Sequence, residues 1–328
     1  MIDLNDKSVL ITGGTGTFGK AFVKRVLNDY RPSKLVIFSR DEMKQYEMQK
    51  EIPASRQVRY YIGDVRDPER LHRAFHGIDF VVHAAAMKII PTGEYNPFEV
   101  VKTNILGAQN IIQAAIDQKV KKVLALSTDK AVNPINLYGA TKLAAEKLFV
   151  AANVYTGDAK CWFSAIRYGN VINSRGSVIP LWREQQATGE LTVTDPAMTR
   201  FFVTIEQVVE FALTALSEML GGEIFVPKLP ALRIVNLAEI VAPGCRHRFI
   251  GTRPGEKLHE ILISEDEARH TIERGNHYLI APEFLHNIVE EDYRSAPKLP
   301  TGFRYSSEPV ENLLNSEEIS KLLAQARV

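Results

Sequence analysis

Five polar residues in one stretch of the sequence have the types needed for proton transfer. Thr128, Asp129 and Lys130 follow the apolar run KKVLALS, and Tyr138 and Lys142 come shortly after it, four positions apart. Residues at that spacing share one face of a helix. A tyrosine with its ordinary pKa of about 10 is a poor base at neutral pH, but a neighbouring ammonium favours the phenolate. We therefore expect Tyr138, helped by Lys142 and Thr128, to remove a hydroxyl proton.

Asp129 and Lys130 add an acid and an amine that a simple alcohol oxidation does not require. Oxidation of one substrate carbon to a ketone acidifies the proton on the neighbouring carbon. A base can then remove that proton while an acid protonates a departing hydroxyl, so that water is eliminated. Both residues follow a predicted strand, and ligands bind at the carboxyl ends of strands in open α/β sheets. A surface ion pair on a loop is the alternative interpretation.

A glycine-rich turn near the start of the chain indicates a dinucleotide phosphate site. The apolar run SVLIT leads into this turn, and a helix-forming segment follows it. Glycine lets the backbone approach a pyrophosphate, whose charge is met by free amides and the positive end of the helix dipole. A tight turn without a ligand is the alternative. The cofactor contacts predicted here are Gly13, Thr15, Gly16, Thr17, Phe18 and Gly19.

The end of the second predicted strand bears on which dinucleotide binds. NAD-dependent enzymes usually have an acidic residue there for the ribose hydroxyls, whereas this chain has Ser39 and Arg40, followed by Lys44. A guanidinium suits a 2′-phosphate, so these residues favour NADP. Asp41 comes one position later and leaves NAD open. Further cofactor contacts are predicted after the third and fourth strands, at Asp64, Val65, Ala84, Ala85 and Ala86.

The elements that would position these residues alternate along the first two-thirds of the chain. Short β-branched runs such as SVLIT, KLVIF and DFVVH are separated by longer amphipathic segments. This alternation predicts an α/β fold with a Rossmann-like, doubly wound parallel sheet. We expect an NADP-binding domain over residues 1–170, followed by a smaller C-terminal lobe for the substrate, with a tail, over residues 171–328. An apolar helix near residues 201–220 could return to the first domain.

Composition argues against several other classes of protein. The 40 Lys and Arg residues nearly balance the 39 Asp and Glu residues, so no net field attracts nucleic acid or an anionic membrane. No run approaches the roughly 20 apolar residues of a membrane span. Two distant cysteines predict no disulfide, and His259 with Glu260 lacks the second histidine of a zinc-binding helix, so we expect no metal. These features fit a cytoplasmic protein.

Several motifs together resemble one enzyme family. They are GGTGTFGK, SRDEMKQ, GDVRD, HAAAMK, STDKAVNPINLYGATK, RYGNVINSRGSVIP and RPGEKLHE. They look like those of the configuration-inverting UDP-N-acetylglucosamine 4,6-dehydratases, which open pseudaminic acid synthesis. The resemblance implies that Tyr138 removes the 4-hydroxyl proton while hydride leaves carbon 4 for NADP. It further implies that Lys130 takes the carbon-5 proton, that Asp129 protonates the 6-hydroxyl, and that hydride returns to carbon 6.

The resemblance also implies substrate contacts and an assembly. Met87 and Ile89 depart from the leucine and the polar residue usual in the family, and both departures bear on the sugar site. A homo-oligomer is implied, with a hexamer as one candidate. Lys88 is expected near both the cofactor and the reacting sugar. The full set of predicted substrate contacts is Lys88, Asn170, Val178, Thr194, Met198, Arg200, Arg253 and Glu256.

Other functions are compatible with the same scaffold. A 4,6-dehydratase that retains the configuration of carbon 5 is one alternative. A UDP-hexose 4-epimerase would return hydride to carbon 4 and would need no base for carbon 5, so Lys130 argues against it. A regulator that senses NADP without turnover is the non-enzymatic alternative, but it would have no need for the acid, the amine and the tyrosine together.

Overall fold

The protein contains one large β-sheet and several small ones. The computed structural model describes residues 2–157, 160–174, 176–282, 296–308 and 313–326. Within them the strands of the large sheet are β1 (Ser8–Thr12), β2 (Lys34–Ser39), β3 (Val58–Ile62), β4 (Phe80–His83), β5 (Lys122–Leu126), β6 (Trp162–Ile166), β10 (Ile224–Pro227), β14 (Thr271–Arg274) and β15 (His277–Ile280). The small sheets are formed by β7 (Asn170–Val171), β9 (Thr199–Val203) and β11 (Ala231–Arg233), by β8 (Glu190–Val193) and β12 (Arg246–Phe249), and by β13 (Ile261–Ile263) and β16 (Tyr305–Ser306).

The large sheet confirms the predicted Rossmann-like fold. Its strands are ordered β14-β15-β10-β6-β5-β4-β1-β2-β3. From β3 to β10 every neighbouring pair of strands is parallel. At one edge β15 is antiparallel to both of its neighbours, β10 and β14. The order reverses between β1 and β4, where ligands bind in doubly wound sheets.

Helices cover both faces of the large sheet and fill the C-terminal lobe. A short π-helical segment, Lys102–Leu106, joins two of them. No helix in the described ranges is both long and apolar enough to cross a membrane. The helices are α1 (Thr17–Asp29), α2 (Glu42–Glu51), α3 (Pro68–Ala74), α4 (Ile90–Tyr95), α5 (Pro97–Val101), α6 (Gly107–Asp117), α7 (Leu137–Ala152), α8 (Val178–Gln185), α9 (Ile205–Glu218), α10 (Ile234–Val241), α11 (Glu265–Ala268) and α12 (Ser316–Gln325).

Alternating apolar side chains bury both faces of the sheet. In β1, Val9 and Ile11 pack in the cluster that includes α1 and α9, and Leu10 packs in the cluster that includes α3, α6 and α7. Successive side chains of a strand point to opposite faces, so a strand buried on both sides is a continuous apolar run. This explains the unbroken apolar character of the strand run that leads into the glycine turn.

Segments after residue 171 contribute to both parts of the molecule. A separate apolar cluster around Trp182 and Leu237 includes α8, α10 and α12 and forms the core of the C-terminal lobe. The helix expected near residues 201–220 begins only at residue 205, because β9 precedes it and Thr204 caps it in a capping box with Gln207. This helix packs on α1, and β10, β14 and β15 also join the large sheet. Residues 283–295 of the predicted tail lie outside the described residues.

Candidate active site

The glycine-rich turn lies between β1 and α1, against the end of β4. Gly13 has a φ of +66°, a conformation that favours glycine, and a β-carbon there would lie 2.8 Å from the backbone nitrogen of Ala85. In the described part of the chain no side chain caps the start of α1, so the amides of its first turn can bind an anion. The turn therefore fits the pyrophosphate of a dinucleotide. Of the predicted contacts, Ala84, Ala85 and Ala86 follow β4, whose end lies against this turn, and Val65 follows β3.

The residues predicted to select the cofactor lie just after β2. The Arg40 side chain is 59% exposed, and its Nη1 lies 3.8 Å from Oδ2 of Asp64. Asp41 is the cap of α2, because its Oδ1 accepts a hydrogen bond from the backbone amide of Lys44 and its Oδ2 lies 2.8 Å from Lys44 Nζ. The Asp41 carboxylate, which the sequence offered as a ligand for the ribose of NAD, is thus hydrogen-bonded at the start of α2. The guanidinium of Arg40 is exposed to solvent.

Asn104 joins the loop after β4 to helix α7, and sequence reasoning missed it. It lies in the π-helical segment, a conformation often found at functional sites. Its side chain bonds both the amide and the carbonyl of Met87 at 2.9 Å, and it donates to Oγ1 of Thr141 on α7 at 3.0 Å. One buried side chain therefore fixes the predicted ribose and sugar loop relative to the helix that carries the tyrosine. No local sequence pattern marks this role.

A second glycine brings α7 close to the predicted acid and base. Asp129–Ala131 form a 3₁₀ turn directly after β5. A β-carbon on Gly139 would overlap the carbonyl oxygen of Lys130, so a larger residue could not occupy this position without moving the helix. Glycine at this place in the YGATK motif therefore allows the catalytic helix and the catalytic turn to meet.

Tyr138 and Lys142 lie on one face of α7, as predicted. Burial raises the pKa of Tyr138, although a hydrogen bond with Thr128 acts in the opposite direction. Burial lowers the pKa of Lys142 to about 8, and its Nζ donates to the carbonyl oxygen of Leu126 at the end of β5. A phenol in such surroundings needs a nearby positive charge before it can act as a base. Lys142 lies one turn further along the same helix face, and its supply of that charge to Tyr138 stays a prediction.

Lys130 lies between two buried carboxylates. Its Nζ is 3.0 Å from Oδ1 of Asp129 and 3.1 Å from Oε1 of Glu260, and Oδ1 of Asn170 is 3.5 Å away. Burial by itself would lower the pKa of Lys130, but the two carboxylates outweigh it and the pKa is raised. Burial raises the pKa of Asp129, which is 1% exposed. The acid and the amine therefore form a buried pair, which rules out the surface ion pair considered from the sequence.

Glu260 comes from the C-terminal lobe, and sequence reasoning assigned it no function. Its Oε1 lies 3.8 Å from Nε of Arg200, and its Oε2 lies 3.7 Å from Nζ of Lys257. Burial opposes ionisation of Glu260, but Lys130, Arg200 and Lys257 together lower its pKa. The tertiary fold was needed to find this residue, since 130 positions separate it from Lys130 in the chain.

Residues 253–260 are hydrogen-bonded to β9 through Arg200 and to the start of α7 through Asn136. Arg200 is turned inward, and it donates to the carbonyl oxygens of Leu258 at 3.0 Å and Lys257 at 2.8 Å. Asn136, the cap of α7, donates to the carbonyl oxygen of Gly255 at 2.7 Å. The RPGEK motif is thus held against the catalytic helix.

The other predicted substrate contacts lie around this cluster and in the C-terminal lobe. Lys88 lies close enough to Lys130 for their charges to interact, and burial together with that charge lowers the pKa of Lys88. Met198 is 2% exposed and packs in the core of the lobe. Contact of these residues with a substrate stays a prediction. Of the rest, Val178 begins α8 and Thr194 follows β8. Arg253 and Glu256 lie in the RPGEK motif. Arg253 is exposed, and Oε1 of Glu256 lies 3.7 Å from Nη2 of Arg200.

A fully buried arginine ties α7 to the strand end and to the C-terminal lobe. Arg167 follows β6, and its guanidinium lies 2.7 Å from carboxylate oxygens of both Glu146 on α7 and Glu267 on α11. Glu146 also accepts a hydrogen bond from the hydroxyl of Ser127, next to the catalytic turn. Removal of one partner would leave an uncompensated buried charge, so the network opposes any shift of the catalytic helix.

Comparison with known proteins identifies the family. A sequence profile of the family described as "Polysaccharide biosynthesis protein" matches residues 9–282, a span that contains every predicted cofactor and catalytic residue. The chain belongs to this family. A polysaccharide biosynthesis relative from Campylobacter jejuni, named UDP-N-acetylglucosamine 4,6-dehydratase (inverting), is 53% identical over 93% of this chain and 93% of its own length. That relative confirms the resemblance inferred from the motifs.

Two further relatives are similar to this chain over nearly its whole length. A Rickettsia akari protein named UDP-glucose 4-epimerase is 42% identical over 97% of this chain and 95% of its own length. The X-ray structure of Pen from Bacillus thuringiensis is 39% identical, with a TM-score of 0.91 over 99% of both chains. Relatives of this chain thus carry both dehydratase and epimerase names.

Proposed function

We propose that this protein is an inverting UDP-N-acetylglucosamine 4,6-dehydratase that produces UDP-2-acetamido-2,6-dideoxy-β-L-arabino-hex-4-ulose. The observation that carries the proposal is the buried contact of Lys130 with Asp129, on the turn that meets the Tyr138 helix. An epimerase needs the tyrosine, whereas water elimination also needs an acid and a base. The name of the Campylobacter relative supports the same substrate and outcome.

The first step is an oxidation at carbon 4 of the sugar. The bound nicotinamide supplies the chemistry of accepting a hydride from carbon 4 and returning it to carbon 6. The ammonium of Lys142 stabilises the phenolate of Tyr138, which takes the proton of the 4-hydroxyl and becomes the phenol. Thr128 bonds to Tyr138 and to Asp129, whose Oδ1 is 2.9 Å from the Thr128 hydroxyl oxygen, and so holds the two catalytic groups together.

The second step is the elimination of water across carbons 5 and 6. Lys130 takes the carbon-5 proton as the neutral amine, the C5=C6 bond forms, and Asp129 gives its proton to the departing 6-hydroxyl. The raised pKa of Asp129 suits this donor role, because burial favours the protonated carboxyl over the carboxylate. Carbon 5 then takes a proton from solvent on the opposite face, which gives inversion, and Tyr138 releases the 4-hydroxyl proton to solvent.

The test of this proposal is proton NMR of the purified protein with UDP-N-acetylglucosamine in deuterium oxide. We expect a new methyl signal from a 6-deoxy-4-keto sugar, with deuterium at an inverted carbon 5. The same methyl signal with carbon 5 retained would assign the protein to the retaining dehydratases. Conversion to UDP-N-acetylgalactosamine without a methyl signal would show a 4-epimerase, the function that the name of the Rickettsia relative favours.

The proposed cofactor is NADP. Its support is the exposed guanidinium of Arg40 beside an aspartate that is engaged as a helix cap. An Arg40→Ala variant is expected to bind NADP about 10- to 100-fold more weakly, because a charged hydrogen bond to the 2′-phosphate is lost. Binding of NAD should be nearly unchanged. Calorimetric titration with both dinucleotides measures this, with Arg73→Ala on α3 as the control, and an equal loss for both would contradict the proposal.

Three further proposals concern the fate of the product, the assembly of the protein and its compartment. The product is proposed to enter pseudaminic acid synthesis, the protein to form a homo-oligomer, and the reaction to take place in the cytoplasm. Both cysteines, Cys161 and Cys245, are unpaired, which supports a reducing compartment.

A further inference from the structure

The two carboxylates that flank Lys130 lie in different surroundings. Asp129 accepts hydrogen bonds on Oδ1 only, and among the described residues neither its buried Oδ2 nor the buried Oε2 of Glu260 has a hydrogen-bond partner. The two carboxylates differ in the charges around them. Glu260 is surrounded by the positive charges of Lys130, Arg200 and Lys257. Of the two, Glu260 is therefore the carboxylate that keeps its negative charge, and Asp129 is the one that can hold a proton.

The backbone of Glu260 is fixed from the C-terminal segment. Its amide donates to Oγ of Ser307 at 3.0 Å, and its carbonyl oxygen accepts from the Ser307 amide at 2.9 Å. Ser307 is fully buried, and its Oγ lies 2.8 Å from Oγ1 of Thr199 beside Arg200. The backbone that carries the Glu260 carboxylate is therefore fixed by buried hydrogen bonds.

We propose that Glu260 is a positioning residue, which holds the amine of Lys130 beside Asp129 and stabilises the ammonium that Lys130 becomes on taking the carbon-5 proton. This inference rests on the proposed dehydratase function. The protons balance, because Lys130 gains the carbon-5 proton while Asp129 gives one to the leaving hydroxyl. The resulting ammonium and carboxylate adjoin each other in the structure. One proton transfer across their 3.0 Å contact restores the neutral amine and the carboxylic acid.

The test separates carbon-4 oxidation from elimination in a Glu260→Gln variant. The amide keeps the size of the side chain and can still accept a hydrogen bond, but it lacks the charge. Without that charge the ammonium that forms on Lys130 is less stable and the amine is held less firmly beside Asp129, so methyl formation should fall about 10- to 100-fold. Oxidation at carbon 4, followed as reduced nicotinamide absorbance in a single turnover, should keep its rate, so the reduced cofactor accumulates. A residue with only a structural role would slow both steps together.

Three comparisons make the result decisive. Glu265→Gln, an exposed glutamate at the start of α11, should leave both steps unchanged. Glu260→Asp keeps the charge and should restore part of the elimination rate, and it serves as the test if the glutamine variant does not fold. Equal slowing of both steps, or no slowing of elimination, in the Glu260 variants would overturn the inference. Failure of the unmodified protein to form any methyl product would instead refute the proposed function, so the two failures are distinguishable.

Discussion

A Lys130→Met variant is expected to oxidise carbon 4 of UDP-N-acetylglucosamine and to stop there. Methionine fills a similar volume but cannot take the carbon-5 proton, so methyl formation should fall by about 10²- to 10⁴-fold, the usual contribution of a general base. Tyr138 and the glycine turn are unchanged, so the dinucleotide should still bind and reduced nicotinamide should accumulate. Proton NMR of the methyl product and absorbance of the reduced cofactor measure the two steps separately.

A Lys130→Arg variant separates the charge of Lys130 from its role as a base. Arginine keeps a positive charge between Asp129 and Glu260, but its guanidinium does not lose a proton in proteins. Elimination should therefore be lost in the arginine variant as it is in the methionine variant. Normal methyl formation by Lys130→Arg would show that Lys130 acts through its charge alone, and the carbon-5 base would have to be sought elsewhere.

A Tyr138→Phe variant is expected to fail one step earlier. Without the hydroxyl of Tyr138 no base is in place for the 4-hydroxyl proton, so the rate of carbon-4 oxidation should fall by about 10²- to 10⁴-fold. Reduced nicotinamide should then not accumulate, in contrast to the Lys130 variants. The measurement is the same absorbance in a single turnover with an excess of enzyme.

The control for this variant is Tyr155→Phe, since Tyr155 is 50% exposed and lies beyond the end of α7. It should oxidise carbon 4 at the normal rate. Rapid formation of reduced nicotinamide by Tyr138→Phe would mean that another group removes the hydroxyl proton. Thr128, which bonds to both Tyr138 and Asp129, would then be the next residue to replace.

Local patterns in the sequence determined the cofactor half of the protein. Strands β1, β2, β4 and β5 coincide with runs that were identified from their apolar composition, because the middle of a strand buried on both faces is apolar. Gly13 and its neighbours were identified for the same kind of reason, since a turn from strand to helix that admits a phosphate requires glycine within a few residues. Tyr138 and Lys142 lie on one helix turn, so their spacing alone predicted that they share a face.

Only the tertiary structure decided how the catalytic charges are arranged. Glu260 contacts Lys130 across 130 positions of the chain, Arg167 contacts Glu267 across 100, and Asn104 contacts Thr141 across 37. No local period in the sequence encodes such contacts. The sequence could not distinguish a surface ion pair from a buried one at Asp129 and Lys130, because burial depends on what the C-terminal lobe places over them. The start of α9 was misplaced for a related reason. An apolar FFV segment suits a strand or a helix, and its pairing with β7 and β11 selects the strand.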